Sequence, residues 1–598
     1  MWLMTQSVAG RDSTQVKGDP IPLVDPRQGD VEDDAASPGQ RSLLAIAGSL
    51  LVEISLPKLL FAWTVSLALP AVLLGLTPLV TTAWVTTVSE HILAVTEIWA
   101  GVVLAVLAAL AWIGWRPLLH IAEVNFWSLN ALAVQPAYMF CREALRHLAE
   151  WMFARHFSPA GRARLRAASS AVAGVTVCGC AALIAFLVWP HSRWMGTASD
   201  LAVPHHLIVP TLSNAVVLVS CYLMLAALVW GFADAGMDQP FDLAAFDAAP
   251  EGHRTWRVVH LSDLHAVGER YGFRIESGRG GPRGNERLGR VMARLAVIHA
   301  AHPLDLVLVT GDMTDAGRAT EWAEFFDALA LHPALAARMI VLPGNHDLNI
   351  VDRANPARLD LPFSPAKRLR QMRTLSAMAA LQGDRVHVNG TGKGALTLNE
   401  ALAPHRARIV AFAESGGLRR AVGLGQVFDD QFPMILPPDT EDGFGVVILN
   451  SNAETHFSFT NALGFVSVEQ IRRLTAAIGG FPKASWLVAL HHHLIEYPMP
   501  VSAFAERIGT ALVNGSWFVR KLRAFGARIV VMHGHRHIDW IGACGPVRIV
   551  SAPSPVMKAT DDVSTHFYIH TFAAGADGRL CLLPPERIEI AGETRPAS

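Results

Sequence analysis

Four long apolar stretches, all within the first 235 positions, constrain this chain more than any other feature. A helix needs ~20 mostly apolar residues to cross a bilayer, and residues 59–82, 94–114, 171–189 and 207–231 each supply such a run. Four buried helices of a water-soluble domain are the alternative, but segments of this length and low charge favour lipid. Trp115, Trp189 and Trp230 stand near the expected ends, as interfacial anchors do. Pro70 and Pro210 are tolerable where neighbouring helices satisfy the freed backbone groups. Residues 41–235 therefore read as an all-α membrane region. The polar tail over 1–40, rich in Asp, Gly, Pro and Ser, lacks the basic start and short apolar core of a signal peptide and reads as disordered.

Lys and Arg set an orientation. The connection at 83–93 has neither and that at 190–206 has only Arg193, whereas the middle one carries Arg116, Arg142, Arg146, Arg155, Arg162, Arg164 and Arg166. By the positive-inside rule this middle segment is cytoplasmic. The expectation is an integral, multi-pass protein of the inner (cytoplasmic) membrane, with the C-terminal half on the cytoplasmic side. The stretch 118–140, interrupted by His120, Glu123, Asn125 and Asn130, bears on this, since a fifth span there would invert that half. Segment 137–157 pairs Phe140, Leu148, Trp151 and Met152 with Arg142, Arg146 and Arg155, the pattern of an interfacial helix lying in the membrane plane. That reading leaves four spans. Of six cysteines, Cys178, Cys180 and Cys221 lie in apolar stretches, and none has metal-ligand or disulfide spacing, which suits a reducing compartment.

Beyond a polar, proline-containing segment at 236–254, which reads as a linker, the pattern changes to short β-rich runs. Four end in polar motifs: "RVVHLSDLH" (257–265), "LDLVLVTGDMTD" (304–315), "RMIVLPGNHD" (338–347) and "RIVVMHGHRH" (528–537). "GVVILNSNAE" (445–454) and "SWLVALHHH" (485–493) read the same way, and helical segments such as 286–301 and 320–331 lie between. This alternation gives an α/β sheet with its chemistry at the carboxyl ends of the strands. The net charge of −1 gives no general attraction to nucleic acid, and no nucleic-acid partner is expected.

The residue types at those ends suit metal ions. Asp263 and His265 are two apart, so on an extended chain both point to one side and can grip one ion. Asp312 brings two carboxylate oxygens, able to bridge two ions, while Asn345, His491, His535 and His537 add neutral oxygen and imidazole donors. Such a set suits manganese, iron or zinc better than calcium. Two divalent ions ~3.5–4 Å apart polarise a phosphoryl group and activate a water. By themselves, His533, His535 and His537 are open to three readings: metal ligands, acid–base groups, or residues of a turn.

The ordered set D-x-H, G-D-x-x-D, G-N-H-D, an H-H pair and G-H-x-H resembles the calcineurin-like metallophosphoesterase family. The resemblance covers about 255–575, within a domain expected at 255–590. It implies a two-sheet α/β sandwich, two divalent metal ions and hydrolysis of a phosphate ester. It also implies Asp263, His265, Asp312 and His537 on one ion and Asp312, Asn345, His491 and His535 on the other. His346 would protonate the leaving group, with Asp315 orienting its ring, and Asp347 would hold the loop. His533 falls outside the set and reads as an end-of-strand side chain. In "LHHHLIEYP" the family's third position is often proline and here is His493, so His492 stays an alternative to His491 as ligand.

Departures from the pattern narrow the class. The protein phosphatase branch follows G-D-x-x-D with a phosphate-clamping arginine, but here Ala316 and Gly317 come next and Arg318 is displaced. The G-H-x-H ending looks more like the branch that cleaves phosphodiesters and nucleotide pyrophosphates. Arg279 and Arg283, on the glycine-rich stretch 277–287, are candidates to cradle a second phosphate, the alternative being a mobile surface loop. Residues 351–443 are too many for a bare connection and are expected to form a cap with a helix near 365–381. The expected activity is hydrolysis of a phosphodiester or pyrophosphate bond in a nucleotide or lipid-linked substrate. A non-catalytic nucleotide sensor would be favoured by a lost ligand, and a transporter by ionisable residues within the spans. The ligand set is complete, and only Glu97 interrupts the spans. No feature sets an oligomeric state.

Overall fold

The computed structural model describes chiefly residues 69–94, 135–153, 159–197 and 203–592, the last with short gaps that include 278–280, 353–357, 361–363, 389–394 and 500–511. Four helices lead: α1 (Leu69–Ala94), α2 (Gln135–Phe153), α3 (Pro159–Val188) and α4 (Ile208–Ala235). Three stretches are long and apolar enough to cross a membrane: Leu69–Thr87, Gly161–His191 and His205–Ala235. The last two contain the expected spans at 171–189 and 207–231. The first helix runs on through the expected connection at 83–93, and the hydroxyls of Thr82, Thr86 and Thr87 within it are satisfied by carbonyls four residues back. The expected span at 94–114 lies outside the described residues, as does most of 118–140. Helices α3 and α4 cross where glycine meets glycine. A Cβ on Gly174 would lie 2.6 Å from the Ala227 carbonyl oxygen, so only small residues permit the approach.

Helix α2 departs from a simple in-plane amphipath. Phe140, Leu148, Trp151 and Met152 are exposed as expected, but Arg142 and Arg146 turn inward. Arg142 pairs with Asp234 of α4 at 2.7 Å, and Arg146 with Glu143 at 3.0 Å. The pattern of alternating apolar and basic residues is therefore used for buried ion pairing as well as for an apolar outer face.

The strands that follow are β1 (Phe241–Asp242), β2 (Thr255–Leu261), β3 (Leu306–Val309), β4 (Met339–Val341), β5 (His387–Val388), β6 (Leu396–Thr397), β7 (Met434–Leu436), β8 (Phe444–Ile448), β9 (Ser485–Ala489), β10 (Ile529–His533), β11 (Trp540–Cys544), β12 (Val547–Ser551), β13 (Thr565–Ala574), β14 (Leu580–Leu582) and β15 (Glu586–Ile590). They form a nine-stranded sheet, ordered β1-β11-β12-β10-β9-β8-β7-β5-β6, and a six-stranded sheet, β14-β13-β2-β3-β4 with β15 beside β13. Within the sheets β2, β3 and β4 are mutually parallel, as are β8, β9, β10 and β12. Alternation along β9 and β10 divides the core: Leu487, Ala489, Val530 and Met532 face the cluster shared with the six-stranded sheet, while Trp486, Val488 and Val531 face the helices outside. The "LVLV" of β3 is buried throughout, as a parallel strand covered on both faces should be.

Two segments are tied to the sheets more closely than their composition suggests. The 236–254 segment is not a free linker: β1 pairs with β11, Trp540 Nε1 donates to Asp242 at 2.8 Å, and Asp247 is bound by Arg548, Arg579 and the Leu582 amide. Its acidic and aromatic residues find partners across the sheet edge, which overrides its loop-like composition. The described residues of the 351–443 stretch, expected to form a cap, are continuous with the sheet and core. Its helix Pro365–Gln382 buries Met372, Leu375 and Met378 in the main core, and β5, β6 and β7 extend the nine-stranded sheet.

Candidate metal centre

The parallel strands of both sheets end on one side, and their next residues are the polar motifs. β2 delivers Asp263 and His265, β3 delivers Asp312, β4 delivers Asn345 and His346, β9 delivers His491, and β10 delivers His535 and His537. The backbone there is unusual. Asp263, His265, Asp312, His535 and His537 have φ of 56°, 44°, 52°, 74° and 51°, and among the described residues these are the non-glycine positions with positive φ. Such conformations cost about 1–3 kcal/mol each and persist where surrounding structure enforces them, most often at functional sites. Gly311 precedes Asp312 at φ 97°, and a Cβ there would lie 2.4 Å from His491 Nδ1. Only glycine fits.

Two groups of side chains converge. Asp263, His265 and His537 form one, with His537 Nε2 3.1 Å from Asp263 Oδ1. Asp312, His491 and His535 form the other, with His491 Nε2 3.2 Å from Asp312 Oδ2 and 3.1 Å from His535 Nδ1. The same Asp312 Oδ2 is 3.8 Å from His265 Nε2, so one carboxylate oxygen lies between the groups. Asn345 Oδ1 joins the second at 3.0 Å from His491 Nε2. The Thr310 carbonyl accepts from His491 Nδ1 at 2.8 Å and leaves Nε2 to face the centre.

These residues fit divalent ions. Both ring nitrogens of His265 are buried without a hydrogen bond, and ligand atoms from three or more side chains fall within 4.8 Å of one another in each group. Burial opposes charge on Asp312 and His491, yet their mutual attraction holds Asp312 well below the usual carboxylate range and pushes His491 up to about 9. The nitrogen and oxygen donor set suits manganese, iron or zinc.

His492 turns elsewhere, its Nδ1 2.9 Å from Ser451 Oγ. His493 faces Glu496 at 3.5 Å. His533 ends β10 against Tyr497, and burial pushes its pKa down to about 3. Asp347 holds its loop, accepting from the Thr314 and Gly344 amides at 2.9 Å each. His346 has its Nδ1 2.7 Å from the backbone carbonyl of Asp315. Asp315, expected to orient His346, thus meets its ring through the backbone carbonyl, while the Asp315 carboxylate faces His265 Nδ1 at 3.2 Å and accepts from the Ile275 amide at 2.6 Å. Sequence reasoning missed Glu276, whose Oε1 lies 3.4 Å from His346 Nε2. Burial disfavours charge on His346, but Asp312 and Glu276 together raise it well above the ordinary imidazole value. No motif marks Glu276; the turn over 275–277 brings it in.

Arg279 lies outside the described residues. Arg283 is exposed and stacks on Phe273, 4.6 Å from the ring centroid. Arg318 is buried beside Glu321, where it begins the helix Ala319–Ala330.

Residues 257–398 match the family described as calcineurin-like phosphoesterase. The match ends before His491, His535 and His537, which the fold returns to the same centre. A dimetal phosphatase from Danio rerio is similar at 14% identity and TM-score 0.30, over 56% of this chain and 99% of its own. A Staphylococcus aureus protein described as a 5'-nucleotidase, in complex with alpha-ketoglutarate, is similar at 13% identity and TM-score 0.28, over 57% of this chain and 55% of its own. No curated protein matches the chain. The class defined by fold and site is the metal-dependent phosphoesterase. The calcineurin-like phosphoesterase match at 257–398 lies behind a helical region with three stretches long and apolar enough to cross a membrane.

Proposed function

We propose that the chain hydrolyses a phosphodiester or pyrophosphate bond, in a nucleotide or lipid-linked substrate, at a dinuclear centre held to the inner membrane. The observation that carries this reading is Asp312 Oδ2, poised between the Asp263–His265–His537 group and the Asp312–His491–His535 group. Two divalent ions bound there would polarise the phosphoryl oxygens and acidify a water. Asp263, His265, Asp312 and His537 would hold one, and Asp312, Asn345, His491 and His535 the other. His346 donates through Nδ1 to the Asp315 carbonyl, which fixes the ring and leaves Nε2–H to protonate the departing oxygen. The Asp315 carboxylate steadies His265. Arg279 and Arg283 remain candidates for a further phosphate contact, although Arg283 stacks on Phe273.

The membrane placement is supported by the three long apolar helices and by the arginines of α2 and α3, which lie beside the catalytic domain and by the positive-inside rule are cytoplasmic. A soluble enzyme needs no such helices, so an amphiphilic substrate at the bilayer surface suits the arrangement.

The test is a substrate panel on full-length protein with manganese: aryl phosphodiesters, cyclic nucleotides, nucleotide pyrophosphates and lipid-linked nucleotides. Asp312→Asn should lower turnover at least about 1000-fold and reduce metal content, since the shared carboxylate supplies several kcal/mol of cation binding. Full turnover with two ions retained in that variant would refute the bridging role.

A further inference from the structure

The loop 493–497 follows His491 directly, and part of what holds it comes from the membrane region. Arg166, near the start of α3, donates from Nη1 to the Tyr497 carbonyl at 3.1 Å while its Nε pairs with Glu150 of α2 at 2.7 Å. Glu496 of the same loop takes Arg536 Nη1 at 3.0 Å, and Arg536 stands between the candidate ligands His535 and His537. Arg536 also lies over the Tyr497 ring, 5.6 Å from its centroid. Tyr497 in turn stacks on His533 at 6.2 Å and shares a 2.9 Å hydrogen bond with Ser551. The His493 ring is stacked on that of His535, centroids 6.0 Å apart. Trp517 packs both on the apolar cluster of Tyr138, Met139, Ala173 and Trp230 and on the core outside the nine-stranded sheet. A cleft at this junction is lined by Arg142, Arg146 and Arg166 from one region and by His493 and Glu496 from the other.

A tether would need none of these contacts. Withdrawing arginines and carboxylates from water costs several kcal/mol per ion unless partners repay it, so buried pairs of this kind are better explained by fixing a geometry than by adding stability. We propose that Arg166 and Glu496 are positioning residues through which the membrane region sets the His491–His535 half of the metal centre. The inference rests on the dinuclear reading above. The two halves differ in their support. Asp263 and His265 lean on β2 and Asp315, inside the catalytic domain, whereas the loop after His491 leans on α3. Loss of the Arg166 tie therefore weakens the His491–His535 ion more than the other.

The experiment uses full-length protein in micelles, with an aryl phosphodiester, a manganese titration and a metal count after dialysis. Arg166→Ala should raise the manganese concentration for half-maximal activity about tenfold, the usual cost of losing support behind a metal ligand. Turnover at saturating manganese should stay near wild type, and one of two ions should survive dialysis. Arg166→Lys, which keeps a donor for the Tyr497 carbonyl, should recover most of the affinity. Glu496→Gln preserves volume and should shift the titration in the same direction, so the proposal does not depend on Arg166→Ala folding. Wild-type manganese dependence in folded Arg166→Ala and Glu496→Gln overturns it, as does equal loss of both ions without recovery in Arg166→Lys. If Asp312→Asn is itself fully active, the dinuclear reading has failed; if Asp312→Asn is dead while these variants titrate normally, only the tie has failed.

Discussion

The helical region and the catalytic domain use the same apolar residue types in opposite ways. In α3 and α4, Leu183, Phe186, Leu187, Leu225 and Val229 point outward, while Ser170, Asn214 and Asp234 are buried between helices. Those polar groups have partners: Asn214 Nδ2 donates to the Arg193 carbonyl at 2.6 Å, and Asp234 takes Arg142 and Tyr138. In the catalytic domain Val, Leu and Ile fill the space between the sheets, and the buried carboxylates and imidazoles of the candidate metal centre gather at one rim. A continuous apolar exterior is unfavourable in water, and a bundle that keeps its polar residues inside is what lipid demands. The same apolar residue therefore counts differently in the two regions: it fills the core of the catalytic domain, and it covers the outside of helices long and apolar enough to cross a membrane.

The largest effect should come from the rim. If chemistry belongs to the catalytic domain, His346→Ala lowers turnover of substrates with poor leaving groups about 100-fold or more, the usual worth of a positioned acid. Aryl esters, whose phenolates leave unaided, should lose far less. Metal content and membrane partitioning should both stay normal. Equal losses on both substrate classes would assign His346 a structural role and remove the distinction between the proton donor and the ligands around it.

The motifs made this rim legible because each follows a strand whose β-branched run announces it. Parallel strands must present their carboxyl ends together, so D-x-H, G-D-x-x-D, G-N-H-D and G-H-x-H could be assembled without seeing them. What escaped were interactions that depend on a turn or on the other region. Glu276 reaches His346 from a stretch with no periodicity, and spacing pairs Asp315 with His346 without revealing whether a backbone or side-chain oxygen meets the ring. The 236–254 segment looked like a linker because its partners, Arg548, Arg579 and Trp540, lie some 300 residues away. Helix α2 was read from its apolar face, and the inward turn of Arg142 depended on Asp234 of another helix.

The comparison can be broken directly with one substitution made twice. Phe186 on α3 is 76% exposed and Leu331 in the catalytic domain is 77% exposed, so a water-soluble protein should treat them alike. Phe186→Arg should instead lower membrane integration, by less than the ~3 kcal/mol that an arginine costs at the centre of a spanning helix, because near the helix end the side chain can snorkel. Leu331→Arg should change catalytic-domain stability by less than about 0.5 kcal/mol. Fractionation of the two variants beside wild type gives the answer. If both stay fully integrated, the outward face of α3 does not meet lipid.

The smallest effect concerns the joint between the regions. Asp247 lies in the segment that connects α4 to β2, and its carboxylate accepts from Arg548 at 3.1 Å, from Arg579 at 2.8 Å and from the Leu582 amide at 2.9 Å. Partial burial opposes its charge, but these donors hold the carboxyl below its ordinary value. A depressed carboxyl contributes stability that is fully present above the unfolded pKa, ~3.9 for Asp, and is lost as pH falls through the folded value. Asp247→Asn should therefore lower stability at neutral pH by about 1 kcal/mol, as for a small exposed ion-pair network, which is a shift of about 2 °C for a domain of this size. The gap from wild type should shrink below about pH 4, where the unfolded chain's Asp247 takes up its proton, and vanish as pH falls through the lower folded value. Thermal melts of both proteins with chelator present, from pH 7 to pH 3, keep the titration of the metal-centre histidines common to the pair. A gap that stays constant across that range would mean that Asp247 acts through shape alone, and that the segment is held by β1 pairing with β11 rather than by charge.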